Sequence, residues 1–164
     1  MPTSLPPEVR EILERVLVCE LSTVAKSGTP VTWPLVFGLT PGADEFVLST
    51  AIAYPAKLNH LHRNDKVSLL FSDHTGSGLR GASQVLVQGR AAAPDEIRVV
   101  EGLEDFWETL FRKQPDSLHS VLDKETREYT PAAYYHRIRI TVQPERVWTF
   151  STDETGQRVA ERVA

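Results

Sequence analysis

Glu45-Phe46-Val47-Leu48-Ser49-Thr50-Ala51-Ile52-Ala53-Tyr54-Pro55-Ala56-Lys57 carries the chain from an apolar strand, through two hydroxyls, into a helix. Pro55 suits a first helical position, and Ala56, Lys57, Leu58 and Leu61 favour a helix that Arg63-Asn64-Asp65 ends. The start of a helix exposes free N–H groups and a partial positive charge, which is why such ends hold phosphates. Neither Ala53 nor Tyr54 can cap this one, so the N–H groups of Ala56 and Lys57 are left for solvent or a ligand. Lys57 has the wrong sign for the dipole and costs roughly a few tenths of a kcal/mol there unless an anion neutralises it. A phosphate held by Ser49, Thr50, the amides and Lys57 resolves both features. A water-capped end with a solvated lysine is the other reading, and the residues alone leave both open.

Outward from this corner the period alternates between two and 3.6. Upstream, Pro6-Pro7-Glu8 opens a helix between Ser4 and Val16 with Val9, Ile12, Leu13 and Val16 on one face. Leu17, Cys19 and Leu21 then share one face of a strand that turns at Lys26-Ser27-Gly28-Thr29. The next run, Pro30 to Leu39, contains prolines that confine it to a sheet edge or a bulge. Downstream, Val67–Phe71 and Gln84–Ala91 read as strands flanking a surface loop, Ser72–Gly81.

Pro94-Asp95-Glu96 opens a helical stretch with Val99, Val100, Leu103, Phe106, Trp107, Leu110 and Phe111 on its buried face, and Gly102 as a point where it splits. Asp116 or Ser117 caps a further helix to about Arg127. A strand follows from Tyr134 to Val142, its inner face Tyr134, His136, Ile138, Ile140 and Val142. Gln143-Pro144 breaks it before a last strand, Arg146–Phe150, and a frayed tail. The pattern predicts one domain over 1–150, with 94–127 as a helical insertion and 151–164 as a C-terminal tail. Short turns join most strands. The fold class is therefore α+β: an antiparallel barrel of about six to seven strands, of Greek-key type, with peripheral helices.

The chain's 164 residues suffice to bury a core without disulfides or metals. A hydrophobic share of 41% against 24% charged is that of a globular chain, not a disordered one. A net charge of −4 offers no basic stripe for nucleic acid. There is no apolar run of membrane-spanning length, and Met1-Pro2-Thr3-Ser4-Leu5-Pro6-Pro7-Glu8 has no secretory pattern, so the expected location is the cytoplasm. Cys19, the one cysteine, reads as a small core residue. Hydrolysis lacks a Gly-x-Ser-x-Gly elbow, and His60 and His62 point about 200° apart on a helix, so no metal site is expected.

With Ser49-Thr50, Lys57 and Leu61-x-x-Asn64-Asp65-Lys66-Val67-Ser68-Leu69-Leu70-Phe71 in this order, the chain resembles the pyridoxamine 5′-phosphate oxidase-like split barrels, a flavin- or deazaflavin-binding superfamily. Leu21-Ser22-Thr23-Val24, Gly28-x-Pro30 and Pro34-Leu35-Val36-Phe37 resemble its opening hairpin, and Gln84–Ala91 and Pro144–Trp148 its later strands. The resemblance implies an antiparallel split β-barrel, a homodimer and FMN, with the deazaflavin F420 as the alternative. It sets the backbone of Thr32, Trp33, Pro34 and Leu35 along the flavin ring. Ser49 and Thr50 would reach the ribityl chain or phosphate, Lys57 (beside Ala56) would pair with the phosphate, and Gln84 would reach the flavin of the second subunit. No catalytic acid or base is implied, because the cofactor carries the chemistry.

Two departures bear on substrate. The family's enzymes that oxidise pyridoxamine phosphate place a basic residue before the lysine, where Ala56 stands, and carry an Arg-x-His pair near the C-terminus, absent here. Pyridoxamine phosphate is therefore not the expected substrate. The expected activity is transfer of a hydride or electrons between a donor such as NAD(P)H and a small organic molecule. The rival from another class is a non-enzymatic dimer that binds flavin or haem, with His74 or His119 as the haem ligand.

Overall fold

A computed structural model describes residues 4–164; the first three residues of the expected 1–150 domain, and with them the start of the stretch read for a secretory pattern, lie outside it. The fold is an antiparallel split barrel. Helix α1 (Pro7–Arg15) precedes the hairpin β1 (Val18–Val24) and β2 (Pro30–Val36), then β3 (Gly38–Leu39) and β4 (Phe46–Ala51). Helix α2 (Ala56–Arg63) leads to β5 (Lys66–Phe71), β6 (Gln84–Ala92) and the short β7 (Ile97–Arg98). Four helices follow, α3 (Glu104–Lys113), α4 (Pro115–Leu122), α5 (Lys124–Tyr129) and α6 (Ala132–Tyr135), before β8 (Arg137–Thr152) and β9 (Arg158–Arg162).

The strands pair in the order β2-β1-β5-β6-β8-β4-β3, with β7 and β9 also on β8, all antiparallel. The two outer strands of that path, β2 and β3, are consecutive in the chain and separated by Phe37 alone. The sheet must therefore curl until its edges approach, which makes it a barrel with a seam rather than an open sheet. Phe37 sits at that seam, fully buried, packed edge-on to Phe71 with ring centres 4.7 Å apart and against Phe46 at 6.2 Å. Cys19, Leu21, Leu48, Leu69, Val85, Val87, Ile140 and Val142 fill the interior, and Val9 and Leu13 of α1 close one side of it. Pro30 and Pro34 lie on an outer strand, where a missing N–H is tolerated.

Several local expectations are corrected. The stretch from Pro94 is not one helix: β7 comes first, Gly102 takes φ +77°, and helix begins only at Glu104, so Val99 and Val100 are exposed. The helix expected from about 116 to 127 is two, because Asp123 ends α4 and caps α5, its carboxylate accepting from the Thr126 N–H. Tyr134 and His136 precede the strand instead of facing the core. Pro131 starts the helical turn α6, and His136, half-buried, bonds the Ala132 carbonyl through Nδ1. Arg137–Thr152 is a single strand, since Gln143 and Pro144 stay paired with Arg90 and Gly89 and a register shift just beyond them absorbs the break. The tail expected to fray pairs back on β8 as β9. The continuous path holds seven strands, within the six to seven expected, and β7 and β9 add to it on β8.

Candidate functional site

β4 and β8 lie side by side with Ser49 opposite Arg139 and Ala51 opposite Arg137, so Arg137 is the diagonal neighbour of Ser49 on one face of the sheet. This face is the outside of the barrel. Helix α3 packs on it through Val47, Leu103 and Phe106, and Asp105 clamps it by accepting two hydrogen bonds from Arg139, at 2.6 and 2.7 Å. Those bonds hold the Asp105 carboxyl below its ordinary range. Between the sheet, the β2 edge and the helices runs a cleft of about 630 Å³, lined by Pro34, Leu35, Ser49, Phe106, Trp107 and Arg137 among others.

Arg137 is the residue that sequence reading missed. Its Nε donates to Ser49 Oγ at 2.7 Å and an Nη to the Tyr134 carbonyl at 3.3 Å. The rings of Phe106, Trp107 and Tyr134 stand 5.5, 5.6 and 5.6 Å from its guanidinium carbon. No carboxylate pairs with it among the described residues, and burial presses its pKa below the ordinary arginine value. An arginine alternating along an apolar strand carries no sequence signal of this; only the β4–β8 register brings it to Ser49.

Lys57 is 7% exposed, with its ammonium 5.1 Å from the centre of the Trp33 ring and without a hydrogen bond or ion pair of its own among the described residues. Burial foremost, and then the positive charge of Arg137, lowers its pKa. Helix α2 has no side-chain cap, as expected, but starts at Ala56, with Pro55 in the cap position rather than the first helical one. Half-buried Arg137 on Ser49 and buried Lys57 in the first turn of the uncapped α2 thus feel one another's charge with no carboxylate paired to either among the described residues, an arrangement that an anion would relieve. The residues fit a phosphoryl group.

The other predicted positions are distributed as follows. Pro34 and Leu35 line the cleft with Ser49. Trp33 turns toward α2, its ring 5.5 Å from that of His60, while Thr32 is exposed and hydrogen-bonded to Ser22 at 2.7 Å. Thr50 is buried, its hydroxyl 3.5 Å from the Tyr54 carbonyl. Gln84 pairs with Phe150, eleven residues beyond Arg139 along β8, about 35 Å of strand away. It does not meet the cleft of its own chain. His74 is half-buried with Nε2 unpartnered, His119 is exposed on α4, and no metal-binding cluster occurs among the described residues. No helix among them is long and apolar enough to cross a membrane.

Comparison with known proteins agrees with the fold. A model of the family described as pyridoxamine 5′-phosphate oxidase matches residues 5–150. No curated protein matches. Among solved structures, the chain is similar to a pyridoxamine 5′-phosphate oxidase-related, FMN-binding protein from Nostoc punctiforme (TM-score 0.60, 14% identity, 99% of this chain and 100% of that one). It is also similar to an F420 reductase (TM-score 0.61, 20% identity, 87% and 98%) and to a heme storage protein from Vibrio cholerae (TM-score 0.55, 15% identity, 94% and 100%). At these identities the likeness is one of fold.

Proposed function

The chain belongs to the pyridoxamine 5′-phosphate oxidase family, and from that premise we propose that it is a cytoplasmic, homodimeric flavin-dependent oxidoreductase. In this reading it binds FMN and transfers hydride or electrons to a small organic substrate. The observation that carries the reading is that Arg137, bonded to Ser49, and Lys57, in the first turn of the uncapped α2, feel one another's charge with no carboxylate paired to either among the described residues. Ala56, the position where a second basic residue is missing, is offset by Arg137 arriving from β8.

Bound flavin would supply the two-electron chemistry. The protein's own part is to hold and shield. Arg137, Lys57, Ser49 and the Ala56 and Lys57 amides bind the phosphoryl end, and charge-assisted bonds of this kind contribute about 1.5–3 kcal/mol each. Pro34 and Leu35 on one side, and Phe106 and Trp107 on the other, exclude water from the cleft. Thr32, Trp33 and Thr50 act through the backbone and packing beside it, and Gln84 reaches the site of the partner subunit. F420 also bears a phosphoryl group, and the likeness to an F420 reductase makes it the second reading.

Titration of purified protein with FMN and with F420 tests this, using wild type, Lys57→Ala and Arg137→Met. Each substitution weakens binding about ten- to a hundredfold. Unchanged affinity in both variants would place the site elsewhere, and a Soret band in the isolated protein would replace flavin with haem.

A further inference from the structure

Helices α3 to α6 enclose a second cleft, of about 1110 Å³, beside the first. Val99, Val100, Trp107, Phe111, Val121 and Tyr135 form its walls. Trp107, Val121, Thr130 and Tyr135 also line the cleft that contains Ser49 and Arg137, so the two spaces share a partition. The Trp107 indole N–H is already used, donating to the Val99 carbonyl at 2.7 Å, and the ring stacks on Phe111 with centres 5.7 Å apart and planes 22° from parallel. What this wall offers is a flat apolar face.

The charges at the rim balance. Glu104 and Glu128 stand against Lys124 and Arg127, and Lys124 and Glu128 are within 3.8 Å of each other. Such a rim gives no net attraction for an ion, and apolar walls penalise one that enters. A neutral ring system meets neither obstacle and gains by covering exposed Val100 and the Trp107–Phe111 face.

We propose that this chamber binds the body of the substrate, and that the substrate class is uncharged, apolar and ring-containing, of about two fused rings or more. The role as substrate rests on the flavin reading above, because the shared partition sets the bound molecule beside the Ser49–Arg137 cleft; the binding itself does not require cofactor.

Calorimetric titration with 2-acetonaphthone, and with 2-naphthoate as its anionic counterpart of similar shape, separates the two claims. The variant is Val100→Asp, whose side chain is exposed on a loop and lies outside the cofactor cleft. The neutral probe binds wild type at least about tenfold more tightly than the anion, and Val100→Asp weakens it about tenfold while FMN affinity stays unchanged. Equal binding of both probes, or neutral binding indifferent to Val100→Asp, overturns the proposal. So does a Val100→Asp protein that loses a subunit in sedimentation, which would make the wall a subunit contact. Neutral-probe binding that survives while Lys57→Ala and Arg137→Met leave FMN affinity unchanged upholds the chamber and, with the flavin site elsewhere, removes its role as the substrate's seat.

Discussion

Lys113, in the last turn of α3, is 9% exposed, with its ammonium 3.5 Å from the centre of the Phe37 ring and no carboxylate paired with it among the described residues. Burial lowers its pKa to about 7, with buried Cys19 and neighbouring Arg112 as lesser influences of opposite sign, whereas an unfolded chain holds that proton to about 10.4. Between those values the unfolded state binds the proton more tightly, so stability rises as pH climbs from about 7 to 10 and is flat in this group below 7. Lys113→Met therefore stabilises the protein more at pH 6 than at pH 9, by a difference on the order of a few kcal/mol. Urea midpoints at the two pH values check it, and equal gains would mean the ammonium is not desolvated. Arg137 is a different case, because it lines a cleft open to an anion rather than packing against the core.

At the scale of elements, the bulge in β8 decides whether a sixteen-residue strand can pass a proline. Pro144 lacks the donor, and the bulge lets the register slip between Gln88 and Gly89. A Cβ on Gly89 would come within 2.1 Å of the Gln143 carbonyl oxygen, a backbone atom that cannot swing aside. Gly89→Ala is expected to cost about 3 kcal/mol or more, measurable as a fall in denaturation midpoint, and an unchanged midpoint would contradict the close approach. The sequence showed both β8 segments by their alternation and misread the break between them, since proline signals an interruption of hydrogen bonding but not whether a partner strand can absorb it. The same limit applies at Tyr134 and His136. Alternation continued backwards fits two more residues, while Pro131 quietly starts a turn of helix.

For the whole molecule, β2 forms one outer edge of the barrel, and β9 pairs with β8 alone and is exposed throughout. Exposed strand edges invite pairing or cover. The proposed homodimer would provide the cover, and it would also let Gln84 reach a cleft about 35 Å of strand distant from it in its own chain. Sedimentation equilibrium is expected to return twice the 18.4 kDa chain mass. A monomer that binds FMN with full affinity would remove Gln84 from the site.

Residue order alone determined the α+β class, the antiparallel pairing, the outer position of the proline-bearing strand and the uncapped, cationic start of α2. Each of these is written within a few neighbouring residues, as a period, a missing cap or a missing N–H. The tertiary structure decided what stands against them. Phe37 closes the seam because the sheet order makes β2 and β3 its two edges, and Arg137 meets Ser49 across 88 residues because of one strand register. The helical wall over the cleft depends on how α3 docks. Contacts between residues far apart in the chain follow from packing of the whole, and no local pattern encodes them.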